Sequence, residues 1–98
     1  MYARVTTLNL NTEKWDQLLV AINTEVPGLM SEVSGVSSFT IIGNHETGKG
    51  TVVAVFESKG ALDAATEQIN QELGGFGTFF STPPTVEAGE VLFYQDHT

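Results

Sequence analysis

The hydrophobic period of this chain changes from two to about 3.6 and back, twice over, and that order constrains the fold more than any other feature. Tyr2 to Leu10 alternates as a strand, with Ala3, Val5, Thr7 and Asn9 on one face and Tyr2, Arg4, Thr6, Leu8 and Leu10 on the other. Asn11 and Thr12 are N-cap residue types, and Glu13 suits a first helical turn. Trp15, Leu18, Leu19, Ile22 and Val26 then fall on one helical stripe, which continues through Leu29, Met30 and Val33. Pro27 interrupts that stripe. A proline inside a helix removes a hydrogen bond and clashes with the preceding turn, at about 3 kcal/mol. The spacing therefore predicts a break or kink at Pro27, a second short segment to about Ser34, and a stop at Gly35.

The second half repeats the pattern. Val36 to Ile42 reads as a strand with Val36, Ser38, Thr40 and Ile42 on one face and Ser37, Phe39 and Ile41 on the other. A polar, glycine-rich loop, Gly43 to Gly50, leads to a third strand over Thr51 to Glu57, so the two strands form an antiparallel hairpin. Ser58 caps a second helix with the stripe Leu62, Ala65, Ile69 and Leu73, ended by Gly74-Gly75. An irregular stretch from Phe76 to Pro84 carries three phenylalanines, and its two prolines bar a central strand. Val86 to Gln95 reads as the fourth strand, with Gly89 at a possible bulge and a frayed end over Asp96 to Thr98. Two strand–helix–strand units with right-handed crossovers give an α+β, ferredoxin-like βαββαβ domain over residues 1–98. Its antiparallel sheet carries both helices on one face.

That arrangement leaves the other sheet face bare, yet every strand is apolar on both faces. Val5, Val53 and Val55 oppose Leu8, Val52 and Phe56, and Val91-Leu92-Phe93-Tyr94 is apolar on both sides. A contiguous apolar patch of that kind marks an interface, and a symmetric second copy is the commonest cover. The expectation is a homodimer through the sheet faces, closing a barrel-like core: a dimeric α/β barrel.

Composition narrows the function classes. The 98 residues carry 4 basic and 12 acidic side chains, a net charge of −8, which opposes binding to nucleic acid or an anionic membrane surface. Charged residues are only 16% of the chain, so the acidity reflects missing bases more than an acidic coat. There is no cysteine, which removes disulfides, thiol catalysis and thiolate metal sites. No apolar run approaches the roughly 20 residues of a membrane span, and no signal-peptide pattern opens the chain, so a cytoplasmic location is expected.

Short motifs resemble the antibiotic-biosynthesis-monooxygenase-like domains: Tyr2-Ala3-Arg4-Val5-Thr6 in the first strand, Gly35-Val36 entering the second, Glu46-Thr47-Gly48-Lys49-Gly50 in the hairpin, and Phe56-Glu57-Ser58 before the second helix. The resemblance runs from about Tyr2 to Phe93 and implies a dimeric α/β barrel. It includes cofactor-independent oxygenases of polycyclic aromatic substrates and haem-degrading enzymes. Haem degradation is not implied here. Where that branch carries asparagine, tryptophan and histidine, this chain has Thr6 and Thr7, Phe56, and no histidine from Lys59 to Leu73. The quinone-forming branch places asparagine, tryptophan, tyrosine and arginine around a pocket, and this chain has Trp15, Arg4, Tyr2 and Tyr94 available.

The candidate site follows from residue chemistry. Arg4 is the sole arginine and lies within a strand among apolar neighbours, so it needs a carboxylate on an adjacent strand, such as Glu57, Glu87 or Glu90, or an anionic group on a ligand. Trp15, Phe39 and Phe56 either fill the core or wall a pocket that stacks on a flat substrate. The phenylalanines of 76–80 either cover a cleft or plug the core edge. His45 and His97 read as solvated loop and terminal residues, and two histidines make no metal site. Gly43 to Gly50 lacks a phosphate-loop pattern. The expected function is a small enzyme without metal or cofactor, a monooxygenase-like or isomerising catalyst for a hydrophobic or aromatic metabolite, with Arg4 as its weak catalytic candidate. The alternatives are a non-catalytic module that binds a small hydrophobic ligand, or a dimerisation module.

Overall fold

A computed structural model describes residues 1–96; His97, read above as a solvated terminal residue, lies outside the described residues. The elements are β1 (Tyr2–Asn9), α1 (Trp15–Ser31), β2 (Val36–Gly43), β3 (Lys49–Phe56), α2 (Lys59–Gly74) and β4 (Thr85–Glu90), with short 3-10 turns at Thr12–Lys14 and Gly77–Phe79. The four strands form one antiparallel sheet in the order β2-β3-β1-β4. This is the ferredoxin-like βαββαβ arrangement expected from the order of periods, with β1 paired on both edges.

Local chemistry sets the element ends. Asn11 Oδ1 accepts from the backbone N–H of Glu13 at 3.1 Å and so caps the 3-10 turn that leads into α1, whose own N-cap position, Lys14, makes no side-chain cap; Ser58 Oγ accepts from the N–H of Ala61 at 3.1 Å and caps α2 where the sequence placed it. Gly48 adopts φ +74° in the hairpin loop, and a Cβ there would meet the Leu10 carbonyl oxygen at 2.9 Å. That close approach lets the Leu10 N–H donate to the Gly48 carbonyl at 2.7 Å, which ties the hairpin to the end of β1.

Four expectations need correction. First, α1 runs unbroken through Pro27 to Ser31. Pro27 removes only one donor; Leu18 anchors the helix before it, and Met30 after it packs against the buried cluster that includes Val33. Second, a bulge between Val36 and Ser38 shifts the β2 register, so Val36 faces the helices together with Phe39 and Ile41, where simple alternation put it on the opposite face. Third, β4 ends at Glu90 because its partner there is Tyr2, the first residue of β1; one more bond, Val91 N–H to the Met1 carbonyl at 3.0 Å, is all that β1 can offer. Fourth, β4 pairs without a register shift at Gly89, which faces Ala3.

The core lies between the sheet and the helices in two patches. One gathers Ala54, Phe56, Val33, Leu62, Ala65 and Ile69; the other gathers Leu8, Leu10, Leu18 and Val52. The other sheet face carries half-buried Val5 and Val53, buried Val55 and exposed Ile42 between threonines, and neither helix lies on it. Phe56 is completely buried. Phe56→Ala is expected to lower unfolding free energy by about 3–5 kcal/mol in urea denaturation, against ~0.5 kcal/mol or less for Glu67→Ala on the exposed side of α2.

Candidate functional site

Small residues at the sheet centre leave space under α1. Reading across the register, Arg4 lies beside Ala54 and Ala88, and Leu8 lies beside Gly50, which in turn pairs with Gly43. These alanines and glycines fill little of the gap to the helices. The result is a cavity of about 320 Å³ walled mainly by apolar side chains of α1 and of the sheet's helix-facing residues. That volume is at the small end of the ~300–1,000 Å³ usual for ligand sites.

Trp15 forms one end of the cavity. Its indole lies against Gly43, where a Cβ would meet the ring at 2.8 Å. On the loop side the ring stacks on His45, with centroids 4.7 Å apart and planes inclined by 7°. A stack of this kind contributes about 0.5–1.5 kcal/mol and holds the hairpin loop against the start of α1. The sequence reading of His45 as a solvated residue is right about exposure and missed this partner; only the hairpin fold brings residues 30 positions apart together. Phe39 lines the cavity on the sheet side. Phe56, the third pocket candidate, does not line it and lies in the neighbouring core patch under α2. Phe76 and Phe80 close another side. They are held there because the Asn11 N–H donates to the Phe79 carbonyl and the Ser81 N–H to the Asn9 carbonyl, at 2.7 and 2.8 Å.

Arg4 is the one cationic residue lining this cavity, and it is only 3% exposed. Its Nη2–H donates to Asn70 Oδ1 on α2, and its Nη1–H donates to Thr6 Oγ1 in a long 3.4 Å bond. None of the acidic partners considered from sequence reaches it. Glu87 pairs with Val5 and so belongs to the opposite sheet face, while Arg4 itself is flanked by alanines on both neighbouring strands. Among the described residues the sole ion pair is Lys59–Asp63, at 3.9 Å on the surface of α2. Burial pushes the Arg4 guanidinium below its ordinary value, because desolvation disfavours the charged form. Arginine nonetheless keeps its proton at neutral pH. A buried charge without a counter-charge costs several kcal/mol, so the Asn70 acceptor carries much of what compensation exists.

Chemically, the cavity offers dry apolar walls, one fixed positive charge, the Thr6 hydroxyl, and the polar groups of Asn23 and Glu72 at its margin. Among the described residues no group of three His, Asp or Glu side chains converges in a way that would hold a metal ion. Asn70→Ala should cost about 1–3 kcal/mol in chemical denaturation, since it strips the acceptor from a buried cation. In an Arg4→Met background the same change should cost markedly less, and equal costs in the two backgrounds would show that Asn70 acts independently of Arg4.

No family model and no curated protein matches this chain. Solved structures do match over nearly the whole length. A dimeric ferredoxin-like protein from an uncultured marine organism aligns with TM-score 0.74 at 17% identity, covering 98% of this chain and 97% of that one. A monooxygenase from Streptomyces coelicolor in complex with nanaomycin D aligns with TM-score 0.73 at 16% identity, covering 99% and 92%. An antibiotic biosynthesis monooxygenase aligns with TM-score 0.70 at 14% identity, covering 94% and 99%. The chain therefore has the ferredoxin-like fold of the antibiotic-biosynthesis-monooxygenase-like proteins that its sequence motifs resemble.

Proposed function

We propose that the protein is a small, cofactor-independent monooxygenase-like enzyme that oxidises a hydrophobic or aromatic metabolite held between its helices and sheet. The observation that carries this reading is an apolar cavity with a single buried cation, Arg4, in its wall. The shared fold with monooxygenases, one of them in complex with nanaomycin D, supports it. An electron-rich substrate supplies its own reducing electrons. A ring methylene becomes a carbonyl, one atom of dioxygen enters that carbonyl, and the other leaves with the two displaced hydrogens as water. The chain's part is to exclude water with the walls of α1, Trp15 and Phe39, and to anchor the polar end of the substrate with Arg4 so that the reacting carbon is held in place.

The enzyme acts as a homodimer joined through the uncovered sheet faces. Val5, Val53, Val55 and Ile42 lie on that face, and Leu92 and Phe93, beyond the end of β4, are 91% and 81% exposed. An apolar face that neither helix covers, with Ile42, Leu92 and Phe93 exposed at it, fits an interface, and one structural neighbour is described as dimeric. A second reading, a non-catalytic module that holds a hydrophobic ligand, is favoured by the absence of any histidine among the cavity-lining residues to serve as a base.

Two experiments check these statements. An anthrone such as dithranol, incubated with the protein in air, should be converted faster than in buffer, with consumption of dioxygen and a product heavier by one oxygen less two hydrogens. Arg4→Ala should slow that conversion by about 10²-fold, because the substrate loses the anchor that orients it. Saturable binding of the anthrone with no enhancement of conversion would favour the binding module. In native mass spectrometry the wild type should appear at twice the chain mass, and Val53→Lys, which puts a charge at the centre of the uncovered face, should appear as a folded monomer. A wild-type monomer would remove the dimer.

A further inference from the structure

We infer that the ligand of the helix–sheet cavity is an anion, an apolar molecule bearing one carboxylate that the Arg4 guanidinium receives. This inference rests on reading the cavity as a ligand site. It deepens that reading by giving the ligand a charge and a head group. A guanidinium has five N–H donors, and the protein engages two of them, with Thr6 and Asn70. Three remain, enough for the two parallel bonds that a planar carboxylate accepts from an arginine.

The electrostatics point the same way. Arg4 lines the cavity, is almost wholly withdrawn from solvent, and meets no carboxylate among the described residues. The strands on either side present Ala54 and Ala88 at its level, so the register places no acid beside it. In a chain with 12 acidic side chains and a single arginine, leaving that arginine without one is informative. A buried charge needs an opposite charge to offset its desolvation, and Arg4 is among the residues that line the ligand cavity. Glu72 is the one acid at the cavity margin, on α2 two residues beyond Asn70. It makes no ion pair with Arg4 and would compete with an incoming anion, so its removal should favour the ligand. Apart from the uncharged Thr6 and Asn23 the rest of the lining is apolar, which fits a body with no second charge.

The test compares an acid with its neutral isostere. Binding of 1-naphthoate and 1-naphthamide to the full chain, and of decanoate and decanamide as a pair of different shape, would be measured by isothermal titration calorimetry at neutral pH. Each acid of a pair that binds should do so at least about tenfold more tightly than its amide. Arg4→Met should abolish that preference while retaining amide binding, and Arg4→Lys should restore part of it, since lysine keeps the charge and loses the fork. Glu72→Gln should strengthen acid binding more than amide binding. Equal affinity of acid and amide for the wild type would overturn the anion inference and leave the cavity as a site for neutral ligands. An acid preference that survives both Arg4 variants would place the anion elsewhere and overturn it too. Failure of all four probes to bind folded wild-type protein would overturn the inference together with the reading of the cavity.

Discussion

β1 is one of the two central strands of the sheet, paired on one edge with β3 and on the other with β4, and the site is organised about it. With both edges occupied, its side chains have only two directions to take. Arg4, Thr6 and Leu8 go under the helices; Ala3, Val5 and Thr7 go to the uncovered face. A register slip of one residue would exchange the two sets, burying Val5 under the helices and turning the guanidinium out to the other side. The same pairing decides what stands next to each. Arg4 receives two alanines as neighbours, so its charge is answered neither from β3 nor from β4. It reaches instead to Asn70 on α2, a residue 66 positions away.

The cavity and the stability of the domain draw on the same space. Where the helices meet large residues, as at Phe56 with Leu62 and Ile69, the interior is closed. Where α1 crosses above Gly43, Gly50, Thr6 and Ala54, it is not. A single small core tolerates such a gap only if the remaining contacts suffice, and the two-patch core shows how the burden is divided. The aromatic residues mark the limits of the open region: Trp15, clamped by Gly43 and His45, at one end, and Phe76 and Phe80, pinned by backbone bonds to the end of β1, at another.

Much of this was legible in the sequence. The alternation of β1, the stripe of α2, the caps at Asn11 and Ser58 and the hairpin appear where their residue patterns place them, because those signals are local and each reflects one period or one cap. Pro27 misled because the cost of a missing hydrogen bond is local, whereas the packing that carries α1 past it is not. The β2 face assignment failed for a related reason. A bulge is one extra residue in a pairing, and the Val-Ser-Ser-Phe segment read alone shows unbroken alternation. The site candidates divided along the same line: Arg4, Trp15 and Phe39 line the cavity, while Phe56, two residues along β3 from Ala54, faces the same side but falls beneath α2.

What the sequence determined by itself was the order of strands and helices, the side of β1 on which Arg4 lies, and the scarcity of positive charge in the chain. These depend on residue type and near-neighbour spacing, which are present in the linear chain. Tertiary structure decided which residues meet across it: alanines beside Arg4, Asn70 as its acceptor, His45 against Trp15, and glycines beneath α1. Those meetings depend on strand register and helix placement. Both are set by the summed packing of residues far apart in sequence, and no single segment contains them.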